Sequence, residues 1–280
     1  MTHPAFVPGA VATITGGASG IGLAAARRLA SLGLTICIAD RGADRLDAAV
    51  AAINAAGDVP VMAVEIDVSR PDDLRALEAE VTAAFGGTDI LMNNAGIGPG
   101  STVLGPDENW QRVIDTNLWG VIRGTQIFLP GMLARGRPGL VVNTGSKQGI
   151  TTPPGDPAYN TAKAGVKVFT EALQHDLRNR PDCRISAHLL IPGFVFTELT
   201  RGERTEKPAG AWTPEQTVDF LLASLERGDF YILCPDNDVP RALDEKRIAW
   251  AAGDIIENRP PLSRWHPDHA EAFAAFLRGA

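Results

Sequence analysis

Short apolar runs alternate along the chain with longer segments whose apolar residues recur at helical spacing. Most of the runs do not alternate with polar residues, which is typical of strands buried on both faces of a sheet. They predict strands at residues 11–15, 34–39, 59–66, 89–92, 139–144, 184–190 and 230–233. The segments between them predict helices at residues 21–32, 43–56, 71–85, 109–135, 158–180 and 214–227.

This alternation predicts an α/β fold with a doubly wound, mostly parallel, Rossmann-like sheet flanked by helices. Residues 235–280 depart from the alternation, and predict a helix at 239–252, a proline-rich turn and a last short helix. We therefore expect a Rossmann-type dinucleotide-binding and catalytic domain over residues 1–234. The helical C-terminal tail, residues 235–280, should pack on that same domain.

The composition narrows the classes of function. The chain has 280 residues, of which 45% are hydrophobic and 21% charged, as in soluble globular proteins. A net charge of -7 disfavours binding to nucleic acid, which depends on a basic surface. We expect no association with a membrane, since no apolar stretch approaches about 18 residues. Three scattered cysteines and the lack of a secretory signal favour a cytoplasmic protein with reduced thiols. No metal site is expected.

A glycine-rich turn, Thr15-Gly16-Gly17-Ala18-Ser19-Gly20-Ile21-Gly22, joins the first predicted strand to the first helix. Glycines let backbone N–H groups approach a pyrophosphate, and the helix N-terminus adds partial positive charge. The spacing of these glycines differs from the usual G-x-G-x-x-G, so the turn alone is weak evidence. Its strand–turn–helix context predicts a dinucleotide phosphate site at Gly16, Ser19, Gly20, Ile21 and Gly22.

Asp40 ends the second predicted strand, 18 residues after Gly22. A carboxylate at this place can accept hydrogen bonds from the ribose hydroxyls of NAD, and it repels the 2′-phosphate of NADP. The neighbouring Arg41 could favour that phosphate instead. We expect NAD to be the preferred cofactor and NADP the less favoured one.

Four polar residues form a candidate catalytic set. Tyr159 and Lys163 are four apart in a predicted helix and project from one face. Ser146 follows the fifth strand, at the sheet edge where α/β folds place ligands. Asn117 lies inside a long helix, where asparagine is locally unfavourable. A tyrosine with a pKa near 10 could serve as a base at neutral pH only if a nearby ammonium lowered that pKa.

The chain as a whole resembles the short-chain dehydrogenase/reductase family, in its single-domain Rossmann-type branch. The resemblance covers about residues 10–200 and rests on motifs that follow one another in the family's order. They are the turn at 15–22, Asn93-Asn94-Ala95-Gly96, Asn117, Ser146, Tyr159-x-x-x-Lys163 and Pro192-Gly193-x-Val195-x-Thr197. The tail departs from the family, because its usual C-terminal signature is missing.

The resemblance implies a role for each member of the set. Tyr159 would be the general acid/base, and Lys163 would lower its pKa and bind the nicotinamide ribose. Ser146 would hold the substrate oxygen, and Asn117 would hold a water of the proton relay. The further cofactor contacts implied are Asp67, Val68, Asn94, Ala95, Gly96, Tyr159, Lys163, Pro192, Gly193, Val195 and Thr197.

The resulting hypothesis is an NAD(H)-dependent oxidoreductase that interconverts a small secondary alcohol and a ketone, as a homo-dimer or homo-tetramer. A catalytically inactive NAD-binding sensor of the same fold is the alternative, and a lyase or epimerase is a further one. Residues 97–104, 148–154 and 194–212 are expected to line a mostly apolar substrate pocket. Lys147 and Arg201 could instead meet an acidic group of the substrate.

Overall fold

Seven parallel strands form one sheet in the computed structural model, which describes residues 3–279. The strands are β1 (Val11–Thr15), β2 (Thr35–Asp40), β3 (Val61–Glu65), β4 (Ile90–Asn93), β5 (Gly139–Thr144), β6 (Ile185–Ile191) and β7 (Tyr231–Leu233). Their order is β3-β2-β1-β4-β5-β6-β7, and every neighbouring pair is parallel. This confirms the predicted doubly wound α/β fold. Residues 1, 2 and 280 of the two predicted domain ranges lie outside the described residues.

The helices follow the predicted segments closely. They are α1 (Gly20–Ser31), α2 (Ala43–Asn54), α3 (Pro71–Phe85), α4 (Asp107–Ile114), α5 (Gly120–Ala134), α6 (Gln148–Thr151), α7 (Pro157–Asn179), α8 (Glu198–Arg201), α9 (Pro214–Arg227), α10 (Arg241–Ile256) and α11 (Ala270–Arg278). The short helices α6 and α8 were not predicted. Among residues 3–279, no helix is both long and apolar enough to cross a bilayer.

The predicted helix at 109–135 is one continuous rod, but a π-helical segment, Asp115–Trp119, separates α4 from α5. There the Gly120 N–H donates to the carbonyl of Asp115, five residues back. A π turn inside a helix is uncommon and is often found at functional sites. Asn117 is the buried residue of this segment.

The sheet carries apolar layers on both faces, because successive strand residues point to opposite sides. In β2, Ile36 and Ile38 join the cluster that contains residues of α1 and α9, whereas Cys37 joins the cluster that contains residues of α3 and α5. β3 is different: it is an edge strand with half-buried and exposed positions. The expectation of burial on both faces is therefore wrong for β3.

The C-terminal tail packs around Trp250 of α10. The indole ring meets the rings of Phe273 and Phe276 at centroid distances of 5.2 Å each, and its Nε1 donates to Ser263 Oγ at 2.8 Å. The guanidinium of Arg259 lies 4.1 Å from the ring centroid. Helix α10 also contacts α6, next to the end of β5.

Candidate active site

A cavity of about 490 Å³ opens at the carboxyl edge of the sheet. Segments that follow six successive strands of the chain line it, as expected for a ligand site in an open parallel α/β sheet. Eighteen sequence-predicted residues contribute to its wall: Gly16, Ser19, Gly20, Ile21, Asp40, Arg41, Asp67, Val68, Asn94, Ala95, Gly96, Ser146, Tyr159, Lys163, Pro192, Gly193, Val195 and Thr197. Two of the predicted residues, Gly22 and Asn117, are placed elsewhere.

The glycine turn packs tightly against the loop that follows β4. Gly16 has a φ of +66°, and a Cβ at this residue would lie 2.8 Å from the Ala95 Cα. Gly22 lies beneath the turn, where a Cβ would come 2.1 Å from the Gly16 carbonyl oxygen. Among the described residues, the cavity wall does not include Gly22. Gly22 is therefore a packing position that lets α1 start directly against the turn, and the cofactor contact at Gly22 stays a prediction.

Asp40 is held rigidly at the end of β2. Its carboxylate accepts hydrogen bonds from the N–H groups of Ala18, at 3.0 Å, and Arg41, at 2.8 Å. Sequence reasoning missed Arg45, whose guanidinium lies 3.3 Å from Asp40 and 3.1 Å from Glu198. Arg45 lies in the first turn of α2, five residues after Asp40, and its closeness in sequence was the only local signal for this contact. Asp40 thus lies beside two arginines at this end of the cavity.

Asp67 lies opposite Asp40 at the same end, after β3. Burial acts to raise the pKa of its carboxyl, but hydrogen bonds from Ser69 and the charges of Arg41 and Arg70 outweigh burial. The pKa of Asp67 is therefore held below its usual value. The Ser69 hydroxyl donates to Oδ1 of Asp67 at 2.7 Å, and Arg41 lies 3.8 Å from Oδ2.

The side chain of Asn94, just after β4, forms hydrogen bonds with residues at the ends of β1 and β5. Its Nδ2 donates to the carbonyls of Thr15, at 3.3 Å, and Gly16, at 3.2 Å. Its Oδ1 accepts a hydrogen bond from the Thr144 hydroxyl at 3.2 Å. The amide side chain is thereby engaged with the protein, and it fixes the glycine turn relative to β4 and β5.

Ser146, Tyr159 and Lys163 line the opposite end of the cavity, next to β5 and on the other side of β1 from β2 and β3. Asp156 caps α7, and its Oδ1 accepts the Ser101 hydroxyl at 2.5 Å. Lys163 is almost fully buried, and its Nζ donates to the Thr144 carbonyl at 2.7 Å. The same Nζ lies 5.7 Å from the centroid of the Tyr159 ring.

The pKa values of Tyr159 and Lys163 differ from those expected from the sequence. Burial raises the pKa of Tyr159 to about 12, the Asp156 charge adds to the rise, and a hydrogen bond with Ser146 opposes it. Burial also lowers the pKa of Lys163 to about 8. The net pKa of Tyr159 therefore lies above its ordinary value, opposite to the direction expected from Lys163 alone. The physical reason is that burial dominates and the ammonium makes its short contact with a carbonyl.

Asn117 is buried behind the cavity wall. Its Nδ2 donates to the Ile97 carbonyl and its Oδ1 accepts the Ile97 N–H, both at 2.8 Å. A Cβ at Gly96 would lie 3.4 Å from Asn117 Oδ1 and 3.8 Å from Lys163 Nζ, so all three groups are neighbours. The side chain of Asn117 thus holds the backbone after β4 and is already engaged at both polar atoms.

The wall near Ser146 corrects the predicted substrate pocket. Residues 97–99, Val195 and residues 197–200 line the cavity, but among residues 3–279 the wall includes nothing from 148–154, nor Phe194, Phe196 or Arg201. Trp212 is turned away, with its ring 5.7 Å from that of Phe220. Lys147 lies against two aspartates, described below.

Sequence reasoning missed Arg112 and Thr116, which also line the cavity. They are four residues apart and share one face of the helical segment that carries Asn117, but neither has a helical i±3 or i±4 spacing from Asn117. Among the described residues, 3–279, no group of three or more His, Cys, Asp or Glu side chains is placed to hold a metal ion.

Comparison with known proteins places the chain in a family. A family model described as short chain dehydrogenase matches residues 10–208. The 3-oxoacyl-(acyl-carrier-protein) reductase of Staphylococcus epidermidis is 35% identical over 191 residues, which cover 68% of this chain and 76% of that protein.

Solved structures agree with this match. A short-chain dehydrogenase/reductase from Burkholderia phymatum in complex with NAD is 30% identical, with a TM-score of 0.82 over 93% of this chain and 98% of the other. A variant of the actinorhodin polyketide ketoreductase with NADPH is 31% identical, with a TM-score of 0.71 over 79% of this chain and 92% of the other. The chain therefore belongs to the short-chain dehydrogenase/reductase family of oxidoreductases.

Proposed function

We propose that the protein reduces a small ketone to a secondary alcohol with a nicotinamide dinucleotide, and catalyses the reverse reaction at high pH. The observation that carries the proposal is that Ser146, Tyr159 and Lys163 share one cavity with the glycine turn and Asp40. A dinucleotide is long enough to extend from one end of such a cavity to the other. The names of the relatives, which are reductases, support the direction of the reaction.

The residues present fit a dinucleotide. The first turn of α1 carries no acidic side chain, so its N-terminus can receive a pyrophosphate next to Gly16, Ser19 and Gly20. Asp40 would accept the adenosine ribose hydroxyls, and Lys163 would bind the nicotinamide ribose. The remaining contacts would come from Asp67 and Val68 near the adenine, and from residues 94–96, 192–193, Val195 and Thr197. When bound, the nicotinamide supplies or accepts the hydride.

The protein's own part in the reaction is to move a proton at the substrate oxygen. With a pKa of about 12, Tyr159 is protonated at neutral pH and can donate its proton to a carbonyl oxygen as negative charge develops there. Ser146 would hydrogen-bond the same oxygen. Since Lys163 has a pKa of about 8, it is mostly charged at pH 7 and favours the tyrosinate left behind.

Asn117 would serve the reaction through its backbone. Both polar atoms of its side chain are engaged with Ile97, so a water of the proton relay would have to bind a main-chain carbonyl of the π-helical segment. The side chain then holds the segment next to Lys163. This role is a modified form of the one that the family resemblance implies.

For the cofactor we propose a preference for NAD(H) over NADP(H). The basis is that Asp40 is fixed by two backbone N–H groups and faces the cavity as a carboxylate. Arg41 and Arg45 beside it reduce the repulsion of a 2′-phosphate, so the preference should be moderate. The relatives include structures with NAD and with NADPH.

The substrate end favours a small, largely apolar ketone. Its wall combines Ile97, Pro99, Val195 and Leu199 with the hydroxyls of Ser146 and Tyr159. Apolar side chains beside a few placed hydroxyls are typical of small-molecule sites, and the polar side chains of Arg112, Thr116 and Glu198 belong to the same cavity wall. We expect the protein to act as a homo-dimer or homo-tetramer, which size measurement in solution would decide.

The test is reduction of a panel of ketones, including 3-oxoacyl thioesters, followed by the absorbance of NADH and of NADPH. We expect turnover with at least one ketone and a higher kcat/KM with NADH. Tight binding of NADH without turnover of any ketone or secondary alcohol would instead support the inactive sensor. A lack of dinucleotide binding would contradict the proposal altogether.

A further inference from the structure

Lys147 follows Ser146 directly, and its ammonium is buried among acids. Its Nζ lies 2.6 Å from Oδ2 of Asp244 and 3.2 Å from Oδ2 of Asp236. The side chains of Lys147, Asp236 and Asp244 are 15%, 6% and 5% exposed, respectively. Asp236 follows β7 and Asp244 belongs to α10. One lysine thus joins the loop that carries Ser146 to the C-terminal tail.

The same three residues, the buried ion cluster, also hold the loop that follows β6. The Lys147 N–H donates to the Pro192 carbonyl at 3.2 Å, and the Phe194 N–H donates to Asp236 Oδ2 at 3.2 Å. Gly193 lies between these two contacts. A Cβ there would come 2.5 Å from Asp236 Oδ2 and 2.8 Å from Lys147 Nζ, so a larger residue would displace the ion pair.

The buried ion cluster holds two carboxyl groups and one ammonium, and further charged groups lie near it. Lys147 faces two carboxylates. The charge of Arg247 acts to lower the pKa of Asp244, and the charge of Asp244 acts to raise the pKa of Arg264. Burial raises the pKa of Asp244, although Lys147 and Arg247 act to lower it. Buried ion pairs contribute little net stability because removing charges from water is costly. What they provide is a defined geometry, since Asp236 Oδ2 accepts hydrogen bonds from both Lys147 Nζ and the Phe194 N–H, and Asp244 Oδ2 is ion-paired with Lys147 Nζ.

We propose that Lys147 and Asp244 are positioning residues, and that the buried ion cluster fixes the loops carrying Ser146 and Gly193 against α10. The C-terminal tail is then a part of the catalytic scaffold. The inference rests on the proposed function, in which Ser146 holds the substrate oxygen. A displacement of about 1 Å at such a group can lower a rate by about 100-fold, so a modest loosening of these loops is sufficient for a measurable effect.

The test compares Asp244→Asn with a matched control, Asp254→Asn, both in the full-length protein. Asp244→Asn keeps the shape of the side chain and leaves Lys147 paired with Asp236, so the variant should fold. Asp254 belongs to the same helix and its side chain is 11% exposed, but it binds Arg259 and Ser263. We expect Asp244→Asn to lower kcat for ketone reduction about tenfold, with KM for the dinucleotide within about twofold of the original. Asp254→Asn should keep kcat within about twofold.

Hydrogen exchange gives a readout that needs no turnover. In Asp244→Asn, the amides of Lys147 and Phe194 should exchange at least about fivefold faster, because their loops lose a fixed partner. The control should leave both amides unchanged. Unchanged exchange in Asp244→Asn, an unchanged kcat, or an equal loss of kcat in the control would each overturn the inference. If the original protein reduces no ketone, the proposed function fails, and the exchange rates still decide whether the cluster holds the loops.

Discussion

The two ends of the cavity hold their ionisable groups in very different surroundings. At the end formed by β2 and β3, Asp40 and Asp67 are paired with arginines that are 45% to 61% exposed. At the end formed by β5 and α7, Lys163 and Tyr159 are buried, and their pKa values move to about 8 and about 12. Exposed ion pairs are worth little, whereas buried groups titrate in an altered range. The first end therefore suits the choice of cofactor, and the second suits proton transfer.

The largest effect should come from the buried end. Tyr159→Phe removes the only proton donor proposed for the substrate oxygen while keeping the ring, so kcat should fall by about 1,000-fold or more. Binding of NADH, measured by fluorescence titration, should stay within about threefold of the original, because the change removes one hydroxyl. Near-normal turnover would show that Tyr159 does not transfer the proton, and the buried end would then have no assigned part in proton transfer.

A second change tests the turn that both ends share. Gly22→Ala places a Cβ 2.1 Å from the Gly16 carbonyl oxygen, so the start of α1 must shift. We expect a loss of about 1 to 3 kcal/mol in the free energy of unfolding, from denaturant titration, together with weaker dinucleotide binding. Gly86→Ala is a useful control because a Cβ at Gly86 has nothing within 4 Å. Its cost comes from the φ of +77°, which a residue with a side chain rarely adopts, and not from a clash.

The smallest effect should come from the exposed end. Asp40→Ala should weaken NAD binding about tenfold and lower the ratio of kcat/KM for NADH over NADPH, because a carboxylate that accepts ribose hydroxyls is lost. Asp47→Ala, an exposed acid of the adjacent helix α2, is the matched control. Unchanged NAD affinity in Asp40→Ala would show that Asp40 serves the turn through Ala18 and not the cofactor.

The local sequence pattern was sufficient to predict the strands, the helices and most of the residues of the cavity wall. Each of these depends on nearby residues: apolar periodicity, the glycine turn, and polar residues placed just after strands. The π-helical segment is a different case, because a rod with this pattern of side chains is compatible with an uninterrupted α-helix. Asn117 could be singled out as unusual, but the engagement of its side chain with Ile97 could not be predicted.

The contacts of the tail could not be predicted either. Lys147 is adjacent to Ser146, and nothing in the neighbouring sequence indicates that its ammonium forms ion pairs with Asp236 and Asp244, which lie about 90 or more residues later. The net pKa of Tyr159 differs in direction from the expectation for a related reason. The expectation considered only that a nearby ammonium lowers the pKa of a tyrosine. It left out the burial of both groups, which is the largest influence on their pKa values here.

The central claim is that Tyr159 passes a proton at the substrate oxygen, and the pH dependence of alcohol oxidation tests it most directly. Oxidation needs the tyrosinate, and with a pKa of about 12 its fraction rises about tenfold per pH unit below that value. The slope should become shallower above pH 8, where Lys163 loses its charge. The account predicts an oxidation rate that climbs from pH 6 to 10 in the original protein. A flat profile over that range, measured with saturating NAD, would contradict it.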